Sequence, residues 1–177
     1  IVQPRENLVV LLDPAHQADF QRLAGRVRRG GLRLEKEGSP YSSVVALTTV
    51  PPTATGKLRF QVAANTTLRT VELRNIVGVL PGQDPARADE QVVFSGHYDH
   101  IGILPPVQGD SIANGADDDA SGTTGVVALA EYFKKKNDNA RTLVFVAFTA
   151  EEIGGFGSRH FAQQLKPEQV VAMFNIE

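Results

Sequence analysis

Residues Thr142 to Thr149 read Thr-Leu-Val-Phe-Val-Ala-Phe-Thr, a run without charge and without polar alternation. A strand that is apolar on both faces must be covered on both faces, and the interior of a parallel sheet flanked by helices meets that condition. The neighbouring sequence fits the same plan. Val92-Val93-Phe94 is a second short strand, and Ser121-Gly122 opens a helix whose Val126, Val127, Leu129, Ala130 and Phe133 face inward. Ser158 to Leu165 predicts another helix, closed by Lys166-Pro167, and residues 170–176 form the next strand. Strand, helix, strand, helix, strand predicts an α/β layered domain with a mostly parallel sheet.

Composition narrows the functions such a domain can have. Lys and Arg total 18 against 20 Asp and Glu, a formal charge of −2, without the basic excess that nucleic-acid binding needs. There is no cysteine, which excludes disulfides, thiolate metal sites and cysteine nucleophiles. No apolar run approaches the roughly 20 residues of a membrane span.

The first 70 residues have a different texture. Leu8-Val9-Val10-Leu11-Leu12 predicts a buried strand, and Asp13-Pro14 supplies the cap and first-turn proline of a helix through about Val27. The basic stretch from Arg26 to Lys36, broken by Gly30-Gly31, reads as a solvated turn. From Ser43 to Leu80 the pattern is β. Val44 to Leu47 is apolar, Pro51-Pro52 punctuates, and Leu58, Phe60 and Val62 alternate with Arg59 and Gln61. Asn65-Thr66-Thr67 is formally a glycosylation sequon, and its composition is that of a turn. The chain begins at Ile1 rather than Met and stops directly after the apolar run 170–176. The expectation is a piece of a longer protein.

The chemistry gathers where such sheets bind ligands, beyond the carboxyl ends of the strands. After the strand at 92–95 comes Gly96-His97-Tyr98-Asp99-His100, and after 142–149 comes Ala150-Glu151-Glu152. Glu177 follows the last strand, and Gly115-Ala116-Asp117-Asp118-Asp119-Ala120-Ser121-Gly122 leads into a helix. Singly, each has a plain reading: a hydrogen-bonded histidine, an acidic helix N-terminus, a solvated glutamate pair. Together, carboxylates crowded at one sheet edge are unfavourable unless cations neutralise them. Histidine with carboxylates and no thiol suits zinc or another divalent metal.

His97-Tyr98-Asp99, the run from Gly115 to Gly122, and Glu151-Glu152 resemble the motifs of the two-zinc exopeptidases, the family of bacterial leucyl aminopeptidase and glutamate carboxypeptidase. The resemblance runs from about Asn75 to Glu177 in order, spacing and flanking glycines. It implies a three-layer αβα fold with a mixed, mostly parallel sheet. Residues 71–177 would be the first part of the catalytic domain, and residues 1–70 an accessory or N-terminal α+β segment. It further implies that His97 binds one zinc ion, Glu152 the other, and Asp118 both, with a non-proline cis peptide between Asp118 and Asp119. Glu177 falls at the remaining carboxylate ligand of the His97 ion, where aspartate is commoner. Asp99 would fix the His97 tautomer from behind. Glu151 would be the general base for a water held between the two ions.

The activity so implied is removal of N-terminal residues from peptide substrates by a secreted or periplasmic enzyme. The family's last ligand is a histidine far downstream, a position that His16, His100 and His160 do not occupy. His160 reads as structural and His100 as lining the loop. This stretch by itself is therefore expected to bind metal weakly and turn over little. Two other functions share the fold: a single-zinc glutaminyl-cyclase-like acyltransferase and a non-catalytic receptor-like module. Retention of both His97 and Glu177 favours two metals and hydrolysis.

Overall fold

The computed structural model describes residues 5–29, 31–33, 40–49 and 67–177, and the chain divides into two compact units, residues 1–68 and 69–177. In the first unit β1 (Leu8–Leu12) pairs in parallel with β2 (Ser43–Leu47), Leu8 opposite Ser43 and Leu12 opposite Leu47. A 3₁₀ turn at Pro14–His16 and helix α1 (Gln17–Arg29) follow β1. Asp13 makes the transition, its Oδ1 accepting from the Ala15 N–H at 2.9 Å. Pro14 occupies the first position, where a missing N–H leaves no bond unmade. The expected strand at Leu58 to Val62 and the turn at Asn65 lie outside the described residues, as does part of the basic stretch.

The second unit carries the sheet. Its elements are β3 (Ile76–Leu80), β4 (Gln91–His97), β5 (Ile103–Val107), β6 (Asp110–Ile112), α2 (Ser121–Lys136), β7 (Thr142–Phe148), α3 (Phe156–Ala162) and β8 (Val170–Asn175). Four strands form one sheet in the order β3-β7-β4-β8. β4 is parallel to both β7 and β8, whereas β3 runs antiparallel to β7. The result is a mixed sheet with helices, an α/β arrangement. Among the described residues no helix is long and apolar enough to cross a membrane.

β7 lies inside the sheet, and its residues serve two cores in alternation. Val144, Val146 and Phe148 pack with Val93 of β4 and Phe161 of α3. Leu143 and Phe145 pack with Leu80 of β3 and Val126 of α2, extended by Phe94, Phe133 and Ile176. Both sides of the strand are therefore covered, which is why its sequence lacks polar alternation. Helix α2 ends in a run of Lys134, Lys135 and Lys136, favourable at the negative end of its dipole, and at Asn137 in the left-handed conformation.

Two local features depart from the sequence expectation. A hairpin of β5 and β6 occupies residues 103–112, where no strand was predicted. Pro105-Pro106 within β5 hides the strand signal, and the two-residue turn is marked only by Gln108 and Gly109, both at positive φ. Helix α3 starts two residues before Ser158 and ends three before Leu165, because Gly155 at φ 62° sets its entry.

Val146 has no exposed surface, whereas Val171 on β8 is 48% exposed. Val146→Ala is expected to lower the unfolding free energy by about 2 kcal/mol, through lost burial and the cavity left behind. Val171→Ala should cost no more than about 0.5 kcal/mol. Urea denaturation of the two variants checks the difference, and equal losses would contradict the core assignment.

Candidate metal centre

Register places the site. His97 is the last residue of β4 and lies opposite Phe148, the last of β7. The two chains continue together, since the Tyr98 N–H donates to the Phe148 carbonyl at 3.0 Å. On the other side the pairing of β4 with β8 runs on to the Ile176 N–H, which donates to the Ser95 carbonyl at 2.9 Å. The buried Ser95 hydroxyl donates to Asn175 Oδ1 at 2.8 Å, and Asn175 Nδ2 donates to Glu177 Oε2 at 3.0 Å. Glu177 is thus held by a relay that begins in the sheet.

Asp119 joins β4 to the start of α2. Its carboxylate is buried, with Oδ2 accepting from the main-chain N–H of His97 at 2.8 Å and Oδ1 from that of Gly122 at 3.0 Å. The Thr123 hydroxyl donates to the His97 carbonyl at 2.6 Å, so both main-chain groups of His97 are tied to this helix. The peptide between Asp118 and Asp119 is cis. Neither aspartate has helical backbone angles, which turns the Asp118 side chain outward while Asp119 points in.

The buried His97 ring is oriented from behind by Asp99. Its Nδ1 lies 3.0 Å from the Asp99 carbonyl oxygen, and 3.8 Å from the Asp99 carboxylate. A carbonyl can only accept, so Nδ1 of the neutral ring carries the proton and Nε2 presents a lone pair. The group expected to set this tautomer was the Asp99 side chain; the residue does so through its main chain instead. Its carboxylate accepts from the N–H groups of Glu151 at 3.0 Å and Glu152 at 3.3 Å. Ala150, at φ 56°, turns the chain after β7 so that these two N–H groups face Asp99.

Two clusters of possible metal donors result. His97, Glu151 and Glu177 form one; His100, Asp118 and Glu152 form the other, each with its donor atoms within 4.8 Å of one another. Asp118 also lies against the first, its Oδ1 2.9 Å from His97 Nε2. All of the residues singled out from the motifs, His97, Asp99, Asp118, Glu151, Glu152 and Glu177, are brought to this one edge. So is His100, which the sequence placed only in the loop, its Nδ1 2.5 Å from Glu152 Oε1. His97 Nε2, His100 Nδ1 and Glu152 Oε1 are fully buried yet have no properly directed hydrogen-bond partner. Buried polar atoms are rarely left so, and imidazole and carboxylate donors brought this close at one sheet edge fit a divalent cation such as zinc. Beside the second cluster a pocket of about 340 Å³ opens, with Leu73, Ile101 and Ile153 in its apolar wall.

Asp119 is the residue that sequence reasoning underrated. In a run of three aspartates only the helix start signalled that one of them would be an internal cap, and Gly96 and Gly122 mark its seat. A Cβ on Gly122 would collide with Asp119 Oδ1 and the Ile176 carbonyl oxygen.

The sequence pattern of peptidase family M28 matches residues 75–177. The chain belongs to that family. It is 38% identical over 101 residues to a protein of Pyricularia oryzae named "Probable zinc metalloprotease", covering 56% of this chain and 19% of that one. A protein of the same name from Pyrenophora teres f. teres is 39% identical over 111 residues, covering 60% of this chain and 23% of its own length. "Leucine aminopeptidase 1" of Metarhizium robertsii is 29% identical over 113 residues, 61% of this chain and 27% of that protein. The chain therefore spans about a fifth to a quarter of the length of these curated relatives.

Gly122→Ala is expected to destabilise the metal-free protein by about 1–3 kcal/mol, since backbone on one side and the Asp119 seat on the other block relief. A chelator-treated urea titration with an unchanged midpoint would contradict this packing. The charge around His97 has a second consequence. Burial is the largest influence on its ring and disfavours the cation, but the bond to the Asp99 carbonyl and the charges of Asp119, Glu151 and Asp118 outweigh it, raising the pKa above the ordinary histidine value. Folding then favours the protonated ring. That contribution is complete below the unfolded value of about 6.5 and is lost as pH rises through the higher folded value. In chelator, the stability margin of the chain over His97→Gln should narrow as pH rises from about 6.5 through the higher folded value; a margin independent of pH would overturn the assigned shift.

Proposed function

We propose that residues 69–177 form the metal-holding part of a zinc exopeptidase, an aminopeptidase acting on peptide substrates with two zinc ions. The observation that carries this reading is the pair of donor clusters at adjacent strand ends, with the Asp118 carboxylate between them. Membership of peptidase family M28 supports peptide hydrolysis, and the packing of α2 and α3 on different core clusters supports the three-layer αβα fold.

In this reading His97 and Glu177 hold one ion, Glu152 holds the other, and Asp118 is shared. When bound, the two ions acidify water and offset the negative charge that develops on the peptide carbonyl oxygen. The protein's own residues do the rest. Asp119 fixes the main chain of His97, the Asp99 carbonyl holds its ring so that Nε2 faces the site, and the Asp99 carboxylate holds the turn that carries Glu151. Glu151 stands in the His97 cluster and is half-buried. It accepts the proton of the attacking water as the new carbon–oxygen bond forms, then delivers that proton to the departing amine nitrogen as the carbon–nitrogen bond breaks. The pocket beside Glu152, with its apolar wall, offers space for an apolar substrate side chain.

Glu151→Gln in the intact protein is expected to retain its zinc and to lose turnover by about 10²- to 10⁴-fold. His97→Ala should lose one zinc ion. Elemental analysis with a peptidase assay on aminoacyl substrates checks both. Near-normal turnover in Glu151→Gln, or a full zinc complement in His97→Ala, would reject the corresponding role.

A further inference from the structure

Glu151 and Glu152 sit on the loop of residues 150–156, and the mouth of that loop is closed by a residue outside the motifs. Asn75 stands directly before β3, one residue outside the pairing of Ile76 with Ala147. Its side chain carries on where the main-chain ladder stops. Oδ1 accepts from the Thr149 N–H at 3.2 Å, at the start of the loop, and Nδ2 donates to the Gly157 carbonyl at 2.8 Å, at its end. The Gly157 N–H completes the closure by donating to the Thr149 carbonyl at 3.0 Å. Thr149 and Gly157 are both buried, so these bonds lie away from water and their loss is costly. The fit leaves no slack, since a Cβ on Gly157 would collide with Asn75 Oδ1 and the Thr149 carbonyl oxygen. The segment bearing Asn75 is itself tethered, by the Tyr98 hydroxyl donating to the Arg74 carbonyl at 2.7 Å. Within the loop, the Gly154 and Gly155 N–H groups fold back on the Glu151 carbonyl, each at 2.9 Å. Among side chains of this length only an amide donates and accepts at once, and the clamp uses both functions.

We propose that Asn75 is a positioning residue for the hydrolysis: by clamping Thr149 to Gly157 it fixes where the Glu151 carboxylate stands, while being none of the donors of either cluster. The inference rests on the reading of Glu151 as the general base and adds to it what holds that base still. A group that moves a proton must be placed to a fraction of an ångström, because a misplacement of about 1 Å can cost roughly 10²-fold in rate. Asp99 grips the loop through the N–H groups of Glu151 and Glu152. Asn75 grips it at the base, from the start of β3.

The test compares the intact protein with its Asn75→Ala and Asn75→Asp variants, with circular dichroism as the check of folding. Aspartate fills the same space and can accept from Thr149, but it cannot donate to Gly157. Hydrogen exchange in chelator is followed by mass spectrometry over segments 149–157 and 142–147. In both variants segment 149–157 should exchange about tenfold faster or more, with 142–147 unchanged. Equal exchange of segment 149–157 in variant and unsubstituted protein would overturn the clamp, and Asn75→Asp decides if Asn75→Ala does not fold. With zinc saturating, both variants should keep the zinc content and the KM for a leucyl peptide and lose kcat by about 10- to 100-fold. An unchanged kcat in a variant whose loop exchanges faster would overturn the positioning role. Added to Glu151→Gln, Asn75→Ala should cost little more, since both changes act on the same proton transfer. A further loss as large as in the unsubstituted background would overturn the route through Glu151. Near-normal turnover in Glu151→Gln alone rejects Glu151 as the base, while the exchange comparison, which needs neither zinc nor substrate, still decides the clamp.

Discussion

The Asp119 carboxylate is the joint on which the site depends. One oxygen takes the N–H of His97 at the end of β4 and the other takes the N–H of Gly122 at the start of α2. A strand end and a helix start, each with main-chain groups left over, are satisfied by a single buried anion. A buried carboxylate is costly without such donors, and an accepting pair of N–H groups lowers that cost. Because the bonds go to main chain, they fix the path of the backbone rather than any one side chain. Asp118, the preceding residue and opposite in direction, is left to face His97 on one side and His100 and Glu152 on the other.

Around this joint the fold assembles charge in a manner that a protein without ions would avoid. Asp118, Glu151, Glu152 and Glu177 all reach one sheet edge, and Asp119 stands just beneath. Like charges so close oppose one another. The sheet tolerates the arrangement because its elements are anchored elsewhere, in the two cores built on alternate residues of β7 and in the parallel pairings of β4. Stability is thus made in the layers and spent at the edge, a division that α/β sheets permit because strand ends and helix starts lie outside the packed interior.

How much of this was legible follows the physics of each signal. The run at 142–148 could be read because burial on both faces leaves a continuous apolar record, and Asp13-Pro14 because a cap and its proline are local chemistry. The antiparallel direction of β3 left no trace, since Ile76 to Leu80 reads alike in either direction. The hairpin of β5 and β6 was hidden by Pro105 and Pro106, residues that argue against a strand in any local count. At the site, residue types and spacing indicated the carboxylates and His97, as metal donors must be of few kinds. They could not indicate that Asp99 meets His97 through its carbonyl, or that Asp119 rather than its neighbours turns inward. Those depend on backbone path, which no residue type records.

The Asp99 carboxylate accepts from two successive N–H groups of the turn after β7 while its own carbonyl holds the ring of His97. One residue therefore grips two loops from opposite ends. Its effect is on motion: the turn bearing Glu151 and Glu152 cannot peel from the sheet without uncovering a carboxylate and loosening the imidazole behind it. The turn that carries Glu151 and Glu152 and the ring of His97 are thus held by one and the same residue.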